Sequence, residues 1–243
     1  DANFLNSFAQ SDLEILDKPQ HYFTLGKTSD QLSHERQRYD EYIAYVDSEF
    51  GRLIENLKKN NILDSTYFII TSDHGELFER GILAHATPTL YNPLLHIPLI
   101  IRAPQQAQRK DIFTPTSIID IMPTVLHLMG QDVAPWCEGQ LLPSFGGDED
   151  IERPIFAIEA KENSKFAPIQ KATLSITRWP FKLIHYRGYP GYDDISELFD
   201  LENDPEELDN LAQREPNIVS DLKKELDNNL AIAEENVFKS TGT

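Results

Sequence analysis

The spacing of apolar residues predicts a long helix in the first quarter of the chain. Residues 1–32 are polar and lack a sustained period, which predicts a loop with at most one short helix. Between Ser33 and Asn60 the apolar residues recur at steps of three and four, as in a helix with one buried face. These residues are Tyr39, Tyr42, Ile43, Val46, Phe50, Leu53, Ile54 and Leu57.

Two short apolar runs after this helix predict strands. The run Thr66–Thr71 is β-branched and aromatic, which is typical of a strand buried on both faces in a parallel sheet. The run Ile97–Arg102 predicts a second strand, and Pro98 is tolerated near its start because no N–H is needed there. A helix that leads directly into a buried strand is half of an α/β crossover unit. The first part of the chain is therefore predicted to be α/β, with part of a helix-covered, mostly parallel sheet.

The second part of the chain predicts a smaller antiparallel unit. Asp120 can cap a short helix that ends at Gly130, and the following segment 131–153 is rich in Gly, Pro and Asp. We place a domain boundary there, with domains at residues 1–140 and 141–243. Four short β-prone runs separated by turn residues predict an antiparallel meander, at residues 154–159, 172–177, 181–186 and 195–199. An amphipathic helix at residues 217–237 follows the small sheet.

Charge and cysteine content exclude several classes of partner and site. The chain has 243 residues with 22 basic and 40 acidic side chains, a formal net charge of −18. Such a charge repels nucleic-acid backbones and anionic lipid surfaces, so neither is expected as a partner. The longest apolar runs are far shorter than the ~20 residues of a membrane-spanning helix. A single cysteine, Cys137, excludes an internal disulfide framework and a cysteine-rich metal site.

Candidate chemistry follows the first predicted strand. The segment Thr71–Glu76 (TSDHGE) lies where the carboxyl ends of parallel strands form ligand sites. Asp73 offers a carboxylate oxygen and His74 an imidazole nitrogen, and both can bind a divalent cation. His85, in a loop that returns toward the next strand, can donate to an anionic oxygen or a leaving group. These residues alone leave open a hydrogen-bonded turn at Asp73 and His74 and a structural role for His85.

Taken in order, several segments resemble the sulfatase family of the alkaline phosphatase superfamily. The acidic segment near residue 200 is the most specific to sulfatases, and the resemblance covers residues 33–212. The matching pieces are Tyr39–Ile54, Thr71–Glu76, His85 with Leu90 and Tyr91, Ile97–Ile101, Asp120–Thr124 and Glu197–Glu206.

The resemblance implies a metal-dependent hydrolase of sulfate esters that depends on formylglycine. It implies that residues 1–140 are the C-terminal part of the α/β catalytic domain and that residues 141–243 are a small α+β subdomain. It further implies that Asp73 and His74 bind the divalent cation, usually Ca²⁺, with Mn²⁺ and Zn²⁺ as alternatives. His85 is then the catalytic and substrate-binding residue, and the substrate is a small-molecule or carbohydrate sulfate ester. A periplasmic, secreted or lysosomal setting follows from the family, although the first residues do not resemble a signal peptide.

The family's nucleophile motif, C/S-x-P-x-R, occurs nowhere in these 243 residues. The acidic pair that completes the family's metal site is likewise not found. The chain is therefore expected to be the C-terminal half of a sulfatase, with the N-terminal half as its partner; homo-oligomer formation stays open. Two other functions stay open as well: a phosphoester or phosphonate hydrolase or phosphoglycol transferase on the same scaffold, and a catalytically inactive binding or accessory domain.

Overall fold

A computed structural model describes residues 18–163 and 167–241 of the chain, and the chain divides into two compact units. The first unit comprises Asp1–Thr87 and Pro93–Arg109, and the second comprises Pro88–Asn92 and Lys110–Thr243. This division does not coincide with the boundary expected at residues 140 and 141. That boundary concerned the domains of a longer enzyme, and it stays a prediction. Most of the loop expected at residues 1–32 lies outside the described residues.

The first unit begins with the predicted long helix. Helix α1 spans Ser29–Lys59 and starts with a capping box, in which Thr28 and Gln31 exchange side-chain and backbone hydrogen bonds. These bonds satisfy N–H groups that the first helical turn leaves unpaired. The helix therefore starts earlier than the apolar spacing suggested, because the cap is polar and adds nothing to a hydrophobic period.

The two strands predicted after α1 are present and pair with each other. Strand β1 is Phe68–Thr71, which a short 3-10 turn precedes at Leu63–Ser65. It pairs with a strand at Leu99–Arg102, and the pairing is antiparallel. The parallel strand pairing expected from the apolar run does not occur among the strands of residues 18–163 and 167–241. The strand is also only half-buried, and the described residues pair with it along one edge alone.

A small β-hairpin lies between these strands along the chain. Strands β2 (Phe78–Glu79) and β3 (Ile82–Leu83) pair antiparallel. Arg80 and Gly81 join them with φ values of 56° and 73°, the left-handed pair that a two-residue type I′ turn requires. A short helical turn, α2 (Asn92–Leu95), follows and leads to the strand Leu99–Arg102, which is β4.

The second unit is built on a four-stranded antiparallel sheet in the order β5-β6-β7-β8. Helix α3 (Ile121–Leu128) precedes the sheet and helix α4 (Pro216–Thr241) follows it. The strands are β5 (Ile155–Glu159), β6 (Ala172–Arg178), β7 (Phe181–Arg187) and β8 (Ile195–Asp200). The apolar face of α4 packs on this sheet, and the shared core comprises Ala172, Leu174, Ile176, Leu183, Leu198, Leu222, Leu226 and Leu230. The predicted mixed α/β fold with a small antiparallel sheet and a C-terminal helix is confirmed.

Among the residues that the structure describes, no helix is both long and apolar enough to cross a bilayer.

Candidate functional site

The loop after β1 contains a glycine, Gly75, that lies against the backbone of a neighbouring segment. Any other residue at this position would displace the backbone of the loop. The Gly75 N–H donates to the Leu94 carbonyl at 2.9 Å. A Cβ at Gly75 would lie 1.9 Å from the Pro93 carbonyl oxygen, well inside van der Waals contact. Glycine therefore lets this turn approach the backbone of residues 93 and 94, and it fixes the positions of the residues on either side, His74 and Glu76.

The β2–β3 hairpin brings Glu76 and His85 together. One more backbone hydrogen bond extends the hairpin away from its turn: the Ala84 N–H donates to the Leu77 carbonyl at 3.1 Å. The next residues on the two strands are Glu76 and His85, and His85 Nδ1 lies 2.9 Å from Glu76 Oε2. Two residues nine positions apart in sequence are thus paired by the register of a hairpin.

The two histidines named from the sequence are in contact. The rings of His74 and His85 are 4.0 Å apart between centroids and inclined by 32°. Both side chains are 43–45% exposed, whereas the Glu76 side chain is 17% exposed. The imidazoles are therefore open to a ligand from solvent, with the carboxylate partly shielded beside them.

Hydrogen bonding fixes which nitrogen of His74 carries the proton. His74 Nδ1 lies 2.8 Å from the Gly75 carbonyl oxygen. Because a carbonyl oxygen only accepts, Nδ1 is the N–H of this bond, and Nε2 is the nitrogen that carries the lone pair in the neutral ring. A hydrogen bond of this kind, from one ring nitrogen to a backbone carbonyl, is typical of histidines that bind a metal through the other ring nitrogen.

The donor atoms of Asp73 and His74 lie close to each other. Asp73 Oδ1 accepts the His74 backbone N–H at 3.0 Å, and Asp73 Oδ2 lies 3.6 Å from His74 Nε2. Two ligands that each lie about 2.1–2.4 Å from one ion are about 3–3.6 Å apart. The donor spacing therefore fits a shared ion, and the Asp73 side chain is 86% exposed and accessible to it.

A second donor set shares His74 but not Asp73. One potential ligand atom each of His74, Glu76 and His85 lies within 4.8 Å of the other two. Ca²⁺ prefers six to eight oxygen ligands, and imidazole suits Zn²⁺ and other transition ions. This second set, with two nitrogens and one carboxylate, therefore does not fit calcium. Sequence reasoning gave Glu76 no role, although the turn residues Arg80 and Gly81 carried a signal for the hairpin that places it.

Two buried histidines serve packing outside this cluster. Burial, and then the positive charge of Arg80, lower the pKa of His21 to about 4, and its Nδ1 accepts the N–H of Phe23 at 3.2 Å. In the second unit, His185 is buried and its Nδ1 lies 3.0 Å from the Ser196 hydroxyl. His21 is therefore neutral near pH 7, and both rings are satisfied by their local partners.

Two family models match the chain. The Sulfatase model matches residues 1–131, and the model described as N-sulphoglucosamine sulphohydrolase, C-terminal, matches residues 86–235. The first of these matches includes Asp73, His74 and His85. The two matches together extend over both compact units.

Known proteins similar to this chain are sulfatases and phosphonate hydrolases. The choline-sulfatase of Rhizobium meliloti is 33% identical over 197 residues, which cover 79% of this chain and 36% of that protein. Human arylsulfatase K is 26% identical over 209 residues, which cover 82% of this chain and 37% of that protein. The chain thus spans under two fifths of the length of these curated relatives.

Two solved structures show the same fold. The phosphonate monoester hydrolase of Agrobacterium radiobacter has a TM-score of 0.68 at 26% identity, with 85% of this chain and 43% of that chain covered. The yidJ sulfatase candidate of Bacteroides fragilis has a TM-score of 0.77 at 23% identity, with 95% of this chain and 50% of that chain covered. The similarity to yidJ concerns the fold alone, because the identity is low.

Proposed function

We propose that this chain, which belongs to the sulfatase family, supplies part of the active site of a sulfate-ester hydrolase. The observation that carries the proposal is the contact of His74 with His85, 4.0 Å apart between ring centroids, beside the exposed carboxylate of Asp73. All three residues lie within the span of the Sulfatase family model. A carboxylate and two imidazoles that face solvent together can bind a cation and an anionic ester.

In this proposal Asp73 and His74 hold a divalent cation. The family resemblance favours Ca²⁺, with Mn²⁺ and Zn²⁺ as alternatives, and the 3.6 Å between Asp73 Oδ2 and His74 Nε2 fits any of them. When bound, the ion neutralises charge on the ester oxygens. Further ligands are proposed to come from the part of the family's length that this chain does not span.

His85 is proposed to donate to the sulfate or to the leaving alkoxide. Its Nδ1–H is held by the Glu76 carboxylate at 2.9 Å, which leaves Nε2 to face the substrate. Glu76 acts through His85: it fixes the orientation of the ring, as an acidic partner does for a catalytic histidine. The substrate is proposed to be a small-molecule or carbohydrate sulfate ester in a periplasmic, secreted or lysosomal setting.

The nucleophile is proposed to come from the N-terminal half of the same enzyme. These 243 residues contain no C/S-x-P-x-R motif, and this is the motif from which sulfatases form formylglycine. The curated relatives are more than twice as long as the matched region, which leaves ample length for that segment.

The test is a pair of substitutions in the enzyme completed with its N-terminal half. Asp73→Ala removes one proposed cation ligand and is expected to abolish both hydrolysis of nitrophenyl sulfate and Ca²⁺ affinity. His96→Ala, at an exposed histidine outside the cluster, is the matched control and is expected to keep both. Sulfate-ester turnover that survives Asp73→Ala would refute the assignment.

The second candidate is hydrolysis of a phosphonate or phosphate ester. It is favoured by the structural similarity to the Agrobacterium radiobacter phosphonate monoester hydrolase, since one cation and one donor stabilise either anion. Parallel assays with nitrophenyl sulfate, nitrophenyl phosphate and a nitrophenyl phosphonate separate the two candidates. Turnover of none of them by the completed enzyme would favour the binding or accessory alternative.

A further inference from the structure

We infer that His74, Glu76 and His85 form a three-ligand site for a zinc-class divalent ion within this chain. The site differs from the proposed cation pair, because it includes Glu76 and His85 and omits Asp73. Its potential ligand atoms lie within 4.8 Å of one another, and all three residues belong to the first compact unit. Binding at this site requires no second polypeptide.

Both imidazoles present a free lone pair in the observed hydrogen-bond pattern. His74 Nδ1–H donates to the Gly75 carbonyl at 2.8 Å, so Nε2 of His74 is available. His85 Nδ1 lies 2.9 Å from the Glu76 carboxylate, so Nε2 of His85 is available when Nδ1 donates. Glu76 accepts the His85 Nδ1–H through Oε2 and offers its other carboxylate oxygen to the ion as the third ligand. Zinc affinity therefore depends on Glu76 both as a ligand and as the partner that orients His85.

Side-chain rotations bring the three ligand groups to coordination distance. Ligands about 2.1 Å from a tetrahedral ion are about 3.4 Å apart, and one candidate atom of each residue already lies within 4.8 Å of the other two. The imidazoles are 43% and 45% exposed, so solvent rather than packed core surrounds them and their χ angles can adjust. Glu76, the least exposed of the three, is fixed by the hairpin and needs to move least.

The donor set determines the class of ion. Two imidazoles and one carboxylate match the three protein ligands of open zinc sites, in which water or substrate takes the fourth position. Ca²⁺ would receive one protein oxygen from this set, against its preference for six to eight. His85 is also the donor to the ester in the proposed function, so zinc bound at this site would inhibit hydrolysis. Zinc binding itself does not depend on the proposed function.

Metal titration of the 243-residue chain, without any added segment, tests this inference. Isothermal titration with Zn²⁺ is expected to show one site, and Ca²⁺ at the same concentrations is expected to give no binding heat. Co²⁺ is expected to give the intense visible bands of a four-coordinate ion. His85→Asn and Glu76→Gln are each expected to weaken zinc binding about tenfold or more.

Two controls distinguish this site from the Asp73–His74 pair. His96→Asn removes an exposed histidine outside the cluster and is expected to leave zinc affinity within about twofold. Asp73→Asn is expected to do the same if the three-ligand site is correct. Circular dichroism of every variant verifies folding. Glu76→Asp is a second probe, because it keeps the negative charge but shortens the side chain. It is expected to weaken zinc binding less than Glu76→Gln. Zinc binding that is lost with Asp73→Asn, or that is unchanged by both Glu76→Gln and His85→Asn, would overturn the inference.

Discussion

At the scale of single residues, Gly75 contributes to the site although it has no side chain. It separates His74 from Glu76, and its carbonyl accepts the His74 Nδ1–H at 2.8 Å. A Cβ placed at this position would lie 1.9 Å from a backbone oxygen, that of Pro93. A backbone atom cannot rotate away as the end of a flexible side chain can, so the loop itself would have to shift.

Gly75→Ala is therefore expected to weaken zinc binding about tenfold without removing any ligand atom, because small displacements of supporting residues have effects of this size. Isothermal titration of the intact chain measures the affinity. Gly51→Ala is the matched control: a Cβ at Gly51, within α1, meets nothing within 4 Å, and alanine favours helix over glycine. Equal zinc affinities for the two variants would contradict the role given to Gly75.

At the scale of elements, one buried carboxylate joins three segments of the second unit. Asp120, at the start of α3, accepts the backbone N–H groups of Ser117 at 2.8 Å and Gln140 at 2.9 Å. It also accepts two bonds from the Arg153 guanidinium, at 2.6 and 2.8 Å. The Asp120 side chain is fully buried and that of Arg153 is 13% exposed, so loss of one partner leaves the other charge poorly solvated.

This arrangement predicts a stability that depends on pH. Burial raises the pKa of Asp120, but the Arg153 hydrogen bonds and the two backbone N–H groups outweigh it, and the net pKa is lowered. A carboxyl group whose pKa is lower in the folded chain than in the unfolded chain, where it is about 3.9, stabilises the fold at pH values above about 3.9. This stabilisation is lost as the pH falls through the pKa of the folded state. Asp120→Asn is expected to cost about 3 kcal/mol at pH 7 and to flatten the acid dependence below about pH 4. Urea unfolding followed by circular dichroism measures both.

Asp148→Asn is the control for this experiment, because Asp148 is exposed and lies in the same connecting region. It is expected to leave the free energy of unfolding within about 0.5 kcal/mol of the unsubstituted chain. An Asp120→Asn variant whose stability falls with acid in parallel with the unsubstituted chain would show that this carboxylate does not set the pH dependence.

Elements differ in how far the sequence could predict them. Strands β5 to β8 and helix α4 lie within a few residues of their predicted positions, because each is long enough to show a period and is separated by turn residues. Strands β2 and β3 are two residues each, too short for any hydrophobic period. The hairpin depends on the turn at Arg80 and Gly81, and it was missed.

The same reason explains what the sequence could and could not predict about the site. Asp73, His74 and His85 were named from a segment after a strand and from a family resemblance, and their roles stay predictions. The contact between His74 and His85 depends on the hairpin register and on the close approach at Gly75, which are properties of the folded backbone. Glu76 lies inside the TSDHGE segment, and the turn residues Arg80 and Gly81 were the one sequence signal for the hairpin that brings its carboxylate to His85.

At the scale of the whole molecule, exposed apolar side chains and net charge have opposite effects on self-association of the chain. The face of α1 that the apolar spacing predicts to be buried is largely uncovered by the described residues: Tyr42 is 66% exposed, and Ile43 and Val46 are each 50% exposed. Phe113, in the second unit, is 87% exposed. Contiguous apolar surface favours association, whereas a net charge of −18 makes copies of the chain repel one another.

The chain alone is therefore expected to self-associate through the apolar face of α1, and more strongly as salt screens the repulsion between copies. Sedimentation velocity measures the degree of association at about 20 mM and about 300 mM NaCl, where the electrostatic screening length is longer and shorter than ~10 Å, respectively. The double substitution Tyr42→Gln with Val46→Gln removes apolar surface without changing charge and is expected to reduce association at both salt concentrations. Addition of the N-terminal half of the enzyme is expected to suppress association by covering the same face. A monodisperse monomer at both salt concentrations would mean that this face needs no cover, and the proposal that a second segment completes the fold would lose its physical basis.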